Sequence, residues 1–282
     1  MGSIYRSEAG RCTVRRWCLE RLDAWAVPHE RTTVTAHGAP THTVTAGSGP
    51  RTVVYVAGTN FNAATSLLPA TALVEAGHRV VLLDVPGQPG LSGEQREAVQ
   101  LPWYGTWLRD ALKQLDTGPV TLLGHSFGAG IALSATAPTA AASPTRIERL
   151  VLVSPGGLTG LRVTPKVLAS SASWYLRPDE QRSARLLRAM HAPGRAPDDG
   201  LVEWMTLIAR HARSSASPGK LPALPATLPP CTAVVGEHDT FLPPRVLAPA
   251  VRRALGVDLR VVPDAGHLLV EEHPRYVAEL VS

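Results

Sequence analysis

The strongest constraint on how this chain can fold is an alternation that begins at Val53. Short β-branched runs take turns with amphipathic or alanine-rich segments: TVVYVAG, PATALVEAG, HRVVLLDVPG, WYGTWLRDALKQLD, VTLLGHS, FGAGIALSATA and IERLVLVSPGG. Strand and helix in turn predict a largely parallel sheet with helices on both faces, and the strands read as continuous apolar runs because neither face meets water. Two further runs, CTAVVGEHD and LRVVPDAGH, flank the helical PPRVLAPAVRRALG near the end, and HPRYVAELVS closes the chain as a helix.

The flanks follow other patterns. ERTTVTAH and THTVTAGS alternate polar and apolar residues around Gly-Ala-Pro, which predicts an antiparallel hairpin at the sheet edge. Before them RRWCLERLDAW predicts a helix docked through Trp17, Leu19, Leu22 and Trp25. From Gly156 to Pro230 the alternation stops, in a helical and loop-rich stretch whose LPALPATLPP exit suits neither a helix nor an inner strand. The expected division is therefore a core of residues 1–155 and 231–282, interrupted by a helical cap at 156–230.

Composition excludes several classes. No apolar run approaches the ~18 residues of a membrane span, and the charge-studded start lacks the apolar stretch of a secretory signal. A cytoplasmic, soluble protein with no membrane partner is expected. Cys12, Cys18 and Cys231 are too few and too irregular for a disulfide framework or a zinc site, so no metal is expected. The net charge of +5 comes from scattered arginines that do not interleave with aromatics, which argues against nucleic acid. Monomer and homodimer are both compatible with the sequence.

Chemistry gathers around Gly124-His125-Ser126-Phe127-Gly128, where an apolar strand passes directly into helix-compatible residues. Small residues two before and two after the serine permit a cramped strand-to-helix turn that leaves the hydroxyl exposed. A serine hydroxyl needs a base, and the base an orienting carboxylate. Of ten histidines, His267 in Asp-Ala-Gly-His follows the last strand and so shares the carboxyl edge with Ser126. His273 is expected to face solvent, and the side chain of His125 to be turned away from the nucleophile. Asp239, just beyond a strand, is the favoured acid, with Glu237 and Asp264 as rivals. Oxyanion donors are expected from the Phe127 amide, at a helix start, and from Thr59 or Asn60 in the loop after TVVYVAG.

These residues, in this order, resemble the α/β-hydrolase superfamily over nearly the whole chain. Asp84-Val85-Pro86-Gly87-Gln88-Pro89-Gly90-Leu91-Ser92 resembles that family's D-x-P-G-x-G-x-S loop with a short insertion. This variant is found in bacterial serine carboxylesterases of the type hydrolysing aryl-propionic esters. LDAWAVPHERTTVTAHGAPTHTVTAG is similar to the helix-then-hairpin lead of the same group. The resemblance implies an α/β-hydrolase fold with an inserted cap, and Ser126, Asp239 and His267 as nucleophile, acid and base, with no cofactor. One departure stands out, for Ala57-Gly58 replaces the family's usual His-Gly before the oxyanion loop.

The serine at the elbow disfavours the dehalogenase and epoxide hydrolase chemistries of this fold, which use aspartate there. The expected reaction is cleavage of a small or medium, largely apolar carboxylic ester through an acyl-enzyme on Ser126. In the cap, Trp174, Tyr175, Leu176, Met190, Trp204, Met205, Leu207 and Ile208 supply apolar surface. Trp174, Trp204 and Met205 are the candidates to contact the substrate. The alternatives are a lyase, cyclase or acyltransferase using the same triad on a biosynthetic intermediate, or a non-catalytic binding protein that keeps the fold.

Overall fold

The computed structural model describes residues 3–94, 101–137, 146–213, 221 and 223–282. Eight strands form one sheet: β1 (His29–Ala36), β2 (Ala39–Ala46), β3 (Thr52–Val56), β4 (Arg79–Leu83), β5 (Val120–His125), β6 (Ile147–Val153), β7 (Cys231–Gly236) and β8 (Leu259–Val262). Their order is β1-β2-β4-β3-β5-β6-β7-β8, antiparallel at β1/β2 and β2/β4 and parallel from β4 to β8.

Ten α-helices accompany the strands among the described residues. They are α1 (Glu8–Asp23), α2 (Leu67–Glu75), α3 (Leu101–Gln114), α4 (Phe127–Ala135), α5 (Pro165–Leu176), α6 (Glu180–Arg188), α7 (Asp199–His211), α8 (Pro244–Leu255), α9 (Leu269–Glu272) and α10 (Pro274–Glu279).

The apolar runs are buried on both faces, as the alternation requires. Every residue of β3 is buried, and the two-residue period sends Val53 and Tyr55 to one core and Val54 and Val56 to the other. Leu123, Val151 and Val153 join the first core, which also takes Val14, Trp17 and Leu22 of α1 and Val277 and Ala278 of α10. Leu122, Leu150 and Leu152 join the second, with Trp107 and Leu108 of α3, Ile131 of α4 and Val251 of α8. The parallel strands therefore present one common carboxyl edge, flanked on both sides by helices.

Local details differ from expectation in three places. The hairpin turn is His37-Gly38, both at positive φ (47° and 77°), so Ala39 and Pro40 already belong to β2; this is the turn type whose twist matches paired strands. α1 begins at Glu8, where the Ser7 side chain accepts from Gly10 N–H at 3.1 Å. Its buried stripe is Val14, Trp17, Cys18 and Leu22, and Leu19 lies on the solvent side, 43% exposed.

Between β6 and β7, where the sequence predicts the cap, lie α5, α6 and α7. Residues 214–220 and 222 of that expected segment fall outside the described residues. Leu186, Leu187, Leu201, Trp204 and Ile208 pack into the same core as α1, with the Trp17 and Trp204 ring centres 4.9 Å apart. A bridge between Tyr5 and Ala212 ties the end of α7 to the N-terminus.

Trp107 is the largest side chain of the second core with no exposure, and its indole N–H donates to Thr41 Oγ1 at 2.8 Å. Trp107→Ala is expected to cost ~3–5 kcal/mol by removing buried area and leaving a cavity. A urea midpoint close to that of the unmodified protein would contradict the packing described.

Candidate active site

Ser126 stands between β5 and α4 at φ 53° and ψ −112°, a conformation that non-glycine residues adopt at a cost. The backbone fixes it there. Ser126 N–H donates to Val153 O at 2.8 Å, and its carbonyl accepts from Gly156 N–H at 3.0 Å. The two glycines are steric requirements. A Cβ at Gly124 would lie 2.5 Å from Ala129 Cα, and one at Gly128 would lie 1.9 Å from the Val56 carbonyl oxygen.

The edge that carries Ser126 also carries the loops after β7 and β8. His267 Nε2 lies 3.0 Å from Ser126 Oγ, and His267 Nδ1 lies 2.8 Å from Asp239 Oδ2. Because a carboxylate can only accept, Nδ1 carries the proton and Nε2 is free to accept the serine hydroxyl's. Burial would push the Asp239 carboxyl up, but the neighbouring His267, its hydrogen bond and the Leu242 N–H outweigh this and hold it below the usual carboxylate range. Phe241 N–H and Leu242 N–H both donate to its Oδ1, at 2.9 and 2.8 Å.

The structure thus brings Ser126, His267 and Asp239 together and leaves the rivals outside. The Glu237 side chain is 54% exposed and lies 3.9 Å from His238, while Asp264 is exposed at φ 51°. His273 is turned to Arg195 and to the Asp264 carbonyl.

His125 is a different matter from the expectation. Its ring is not turned away but lines the site, and Nε2–H donates to the His267 carbonyl at 2.8 Å. Burial first, then the neighbouring His267, lowers its pKa to about 3, so it serves as a neutral donor that holds the His267 main chain. Sequence reasoning also missed Glu272, whose two oxygens accept from Ala192 and Gly266 N–H at 2.7 Å each and so join the His267 loop to the chain after α6.

Two expected oxyanion donors remain unpaired. Among the described residues, neither the Phe127 nor the Thr59 N–H donates to a protein acceptor. Phe127 is the first residue of α4, where the helix favours negative charge. Asn60 requires correction, because its N–H already donates to Gln88 Oε1 at 2.9 Å. The signal that could have found Gln88 is the insertion in the Asp84–Ser92 loop. Asp84 itself is buried there and braces the loop by accepting from Ala63 and Leu91 N–H at 2.8 and 2.9 Å.

A cavity of about 350 Å³ opens above Ser126, and Thr59, Phe61, Trp174, Met190, Met205 and His267 are among its walls. Among the described residues, no Lys, Arg, Asp or Glu lines it. Of the three expected substrate contacts, Trp174 and Met205 reach the cavity and Trp204 does not. Trp204 is fully buried against Trp17, and its indole N–H donates to the Asn60 carbonyl at 2.8 Å. Leu176, from the same expected apolar surface, is 77% exposed. No helix among the described residues is long and apolar enough to cross a membrane, and no group of ligating side chains there could hold a metal.

Known proteins resemble this chain at three levels. The sequence pattern of the alpha/beta hydrolase family matches residues 34–280. Lipase LipV of Mycobacterium tuberculosis is 30% identical over 237 residues, covering 72% of this chain and 85% of the lipase. Uncharacterized proteins of Mycobacterium bovis and M. tuberculosis are 34% identical over 125 residues, 44% of this chain, and this match spans about a third (35%) of the length of those curated relatives. Among solved structures, naproxen esterase (carboxylesterase NP) from Bacillus subtilis superimposes with a TM-score of 0.73 at 18% identity, over 98% of both chains. That likeness is one of fold.

The elbow contacts carry a direct expectation. Gly128→Ala drives a methyl group into main-chain atoms that cannot step aside, and should destabilise the protein by ~2 kcal/mol or more. An unchanged denaturation midpoint would show that α4 does not press on β3 as described.

Proposed function

The chain belongs to the α/β hydrolase family, and from that premise we propose that it is a serine esterase cleaving small or medium, largely apolar carboxylic esters. One observation carries the reading. Ser126 Oγ, His267 and Asp239 form a continuous hydrogen-bonded line, at 3.0 and 2.8 Å, that ends at a cavity lined, among the described residues, by no carboxylate, amine or guanidinium.

The reaction follows from the proton positions. Ser126 Oγ attacks the ester carbonyl as His267 Nε2 takes its proton, and the resulting imidazolium is held by the Asp239 carboxylate. Negative charge on the former carbonyl oxygen is met by the unpaired amides of Phe127 and Thr59, which need no reorganisation at the moment of reaction. The imidazolium then protonates the departing alkoxide, leaving an acyl group on Ser126. Water enters, gives its proton to His267 and attacks the acyl carbonyl; collapse of that second adduct frees the acid and returns the proton to Ser126. No step calls for a metal or an organic cofactor.

The substrate class follows from the walls. A cavity whose described walls are aromatic, thioether and uncharged polar groups favours an apolar acyl or alcohol group and penalises an ionic one, which would be stripped of water without a counter-charge. The names of LipV and of naproxen esterase are consistent with ester chemistry on such groups.

A panel of chromogenic p-nitrophenyl esters of graded acyl length tests the reading. Ser126→Ala should lose ~10⁴-fold or more in kcat while folding normally, and Asp239→Asn a comparable ~10⁴-fold because the imidazole loses its required tautomer. Hydrolysis persisting at the unmodified rate in Ser126→Ala would refute it.

A further inference from the structure

The turn that bears the Thr59 amide is held from outside the triad. Phe61 N–H donates to Gly58 O at 3.1 Å, which closes a four-residue turn from Gly58 to Phe61. Its third residue, Asn60, has φ 68°, while Thr59 is not among the residues of positive φ. That combination is a type II turn, and types I and II interconvert by rotating the central peptide, here the one joining Thr59 to Asn60.

The N–H of that peptide is the group that donates to Gln88 Oε1 at 2.9 Å, and Gln88 is buried. Rotation of that peptide would turn over the Thr59 carbonyl and the Asn60 N–H and break this bond, leaving the buried Gln88 oxygen without it. On its other flank Asn60 is held by the Trp204 indole, which donates to its carbonyl at 2.8 Å. Both main-chain groups of one residue are thus gripped by side chains remote in sequence, one from the Asp84–Ser92 loop and one from α7. The turn also lies against the reacting centre: a Cβ at Gly58 would stand 3.4 Å from Ser126 Cβ and 3.1 Å from His125 Nδ1.

We propose that Gln88 and Trp204 are positioning residues that, by gripping both main-chain groups of Asn60, hold the Gly58–Phe61 turn in place against Ser126 and so keep the neighbouring Thr59 amide directed at the oxyanion. The inference rests on the reading of Ser126 as an ester-cleaving nucleophile. It makes the fit of α7 against the core a condition of transition-state stabilisation, and gives Trp204 a role unlike that of a pocket wall.

Gln88→Leu removes the acceptor, and Trp204→Phe removes the donor while keeping a ring against Trp17. Each variant should lower kcat on the best p-nitrophenyl ester by about 10- to 100-fold, less than outright loss of an oxyanion donor. KM should stay within about threefold, because a group felt only in the transition state leaves substrate binding alone. Affinity for a trifluoromethyl ketone, whose serine adduct carries an oxyanion, should fall in step with kcat. Gln88→Glu, which still offers an oxygen to Asn60 N–H, should recover most of the loss.

A purely structural role would lower the melting temperature and leave the kcat of the folded protein and the ketone affinity unchanged, which would overturn the proposal. So would a raised KM at constant kcat. Trp204→Phe keeps the test standing if Gln88→Leu does not fold. The two readings separate cleanly: a wild type that hydrolyses no ester overturns the esterase reading and this proposal together. An active wild type, silenced by Ser126→Ala but indifferent to both positioning variants, overturns the proposal alone.

Discussion

The backbone of α4 presses so closely on the end of β3 that the Val56 carbonyl oxygen would be 1.9 Å from any Cβ at position 128. Much of the site's geometry depends on that contact. It forces the chain from β5 into α4 within a single residue, which puts Ser126 at φ 53° with strain of ~1–3 kcal/mol. The surrounding sheet offsets the strain through the bonds from Val153 and Gly156. The nucleophile is raised above the carboxyl edge, and the loops after β3, β7 and β8 have only to arrive at the same edge for donors, acid and base to meet it.

They arrive because they are bonded to one another. His238 N–H donates to the Ala265 carbonyl at 2.8 Å and Glu237 N–H to the Val262 carbonyl at 2.9 Å, so the Asp239 and His267 loops run as a pair. His125 holds the His267 carbonyl from below, and Met190 accepts from the His267 N–H at 2.7 Å from the inserted side. The segment between β6 and β7 is thus built into the site and shares a core with α1, rather than resting on it.

Much of this was legible in the sequence. The apolar runs predicted buried parallel strands because burial on both faces erases the two-residue alternation, and Gly124 and Gly128 pointed to a cramped turn because no other residue relieves such contacts. Asp239 and His267 were legible from strand-end position together with the chain order Ser, Asp, His, since loops after parallel strands share one edge of the sheet. What escaped was set by long-range hydrogen bonds, for which local patterns carry little mark beyond the insertion that bears Gln88. Asn60 and Thr59 look alike as loop residues, and only the remote Gln88 and Trp204 distinguish the committed amide from the free one. His125 and Glu272 bond to main-chain groups of distant loops, and Leu19 and Leu176 are apolar residues on faces that none of the described residues covers.

The central claim is that Ser126 is an activated nucleophile made reactive by His267. It is tested most directly by treating the protein with a fluorophosphonate and mapping the adduct by peptide mass spectrometry. The account predicts a single phosphonyl group on the peptide containing Ser126, formed rapidly in the wild type and scarcely at all in His267→Ala. An unlabelled Ser126, or equal labelling with and without the imidazole, would contradict it.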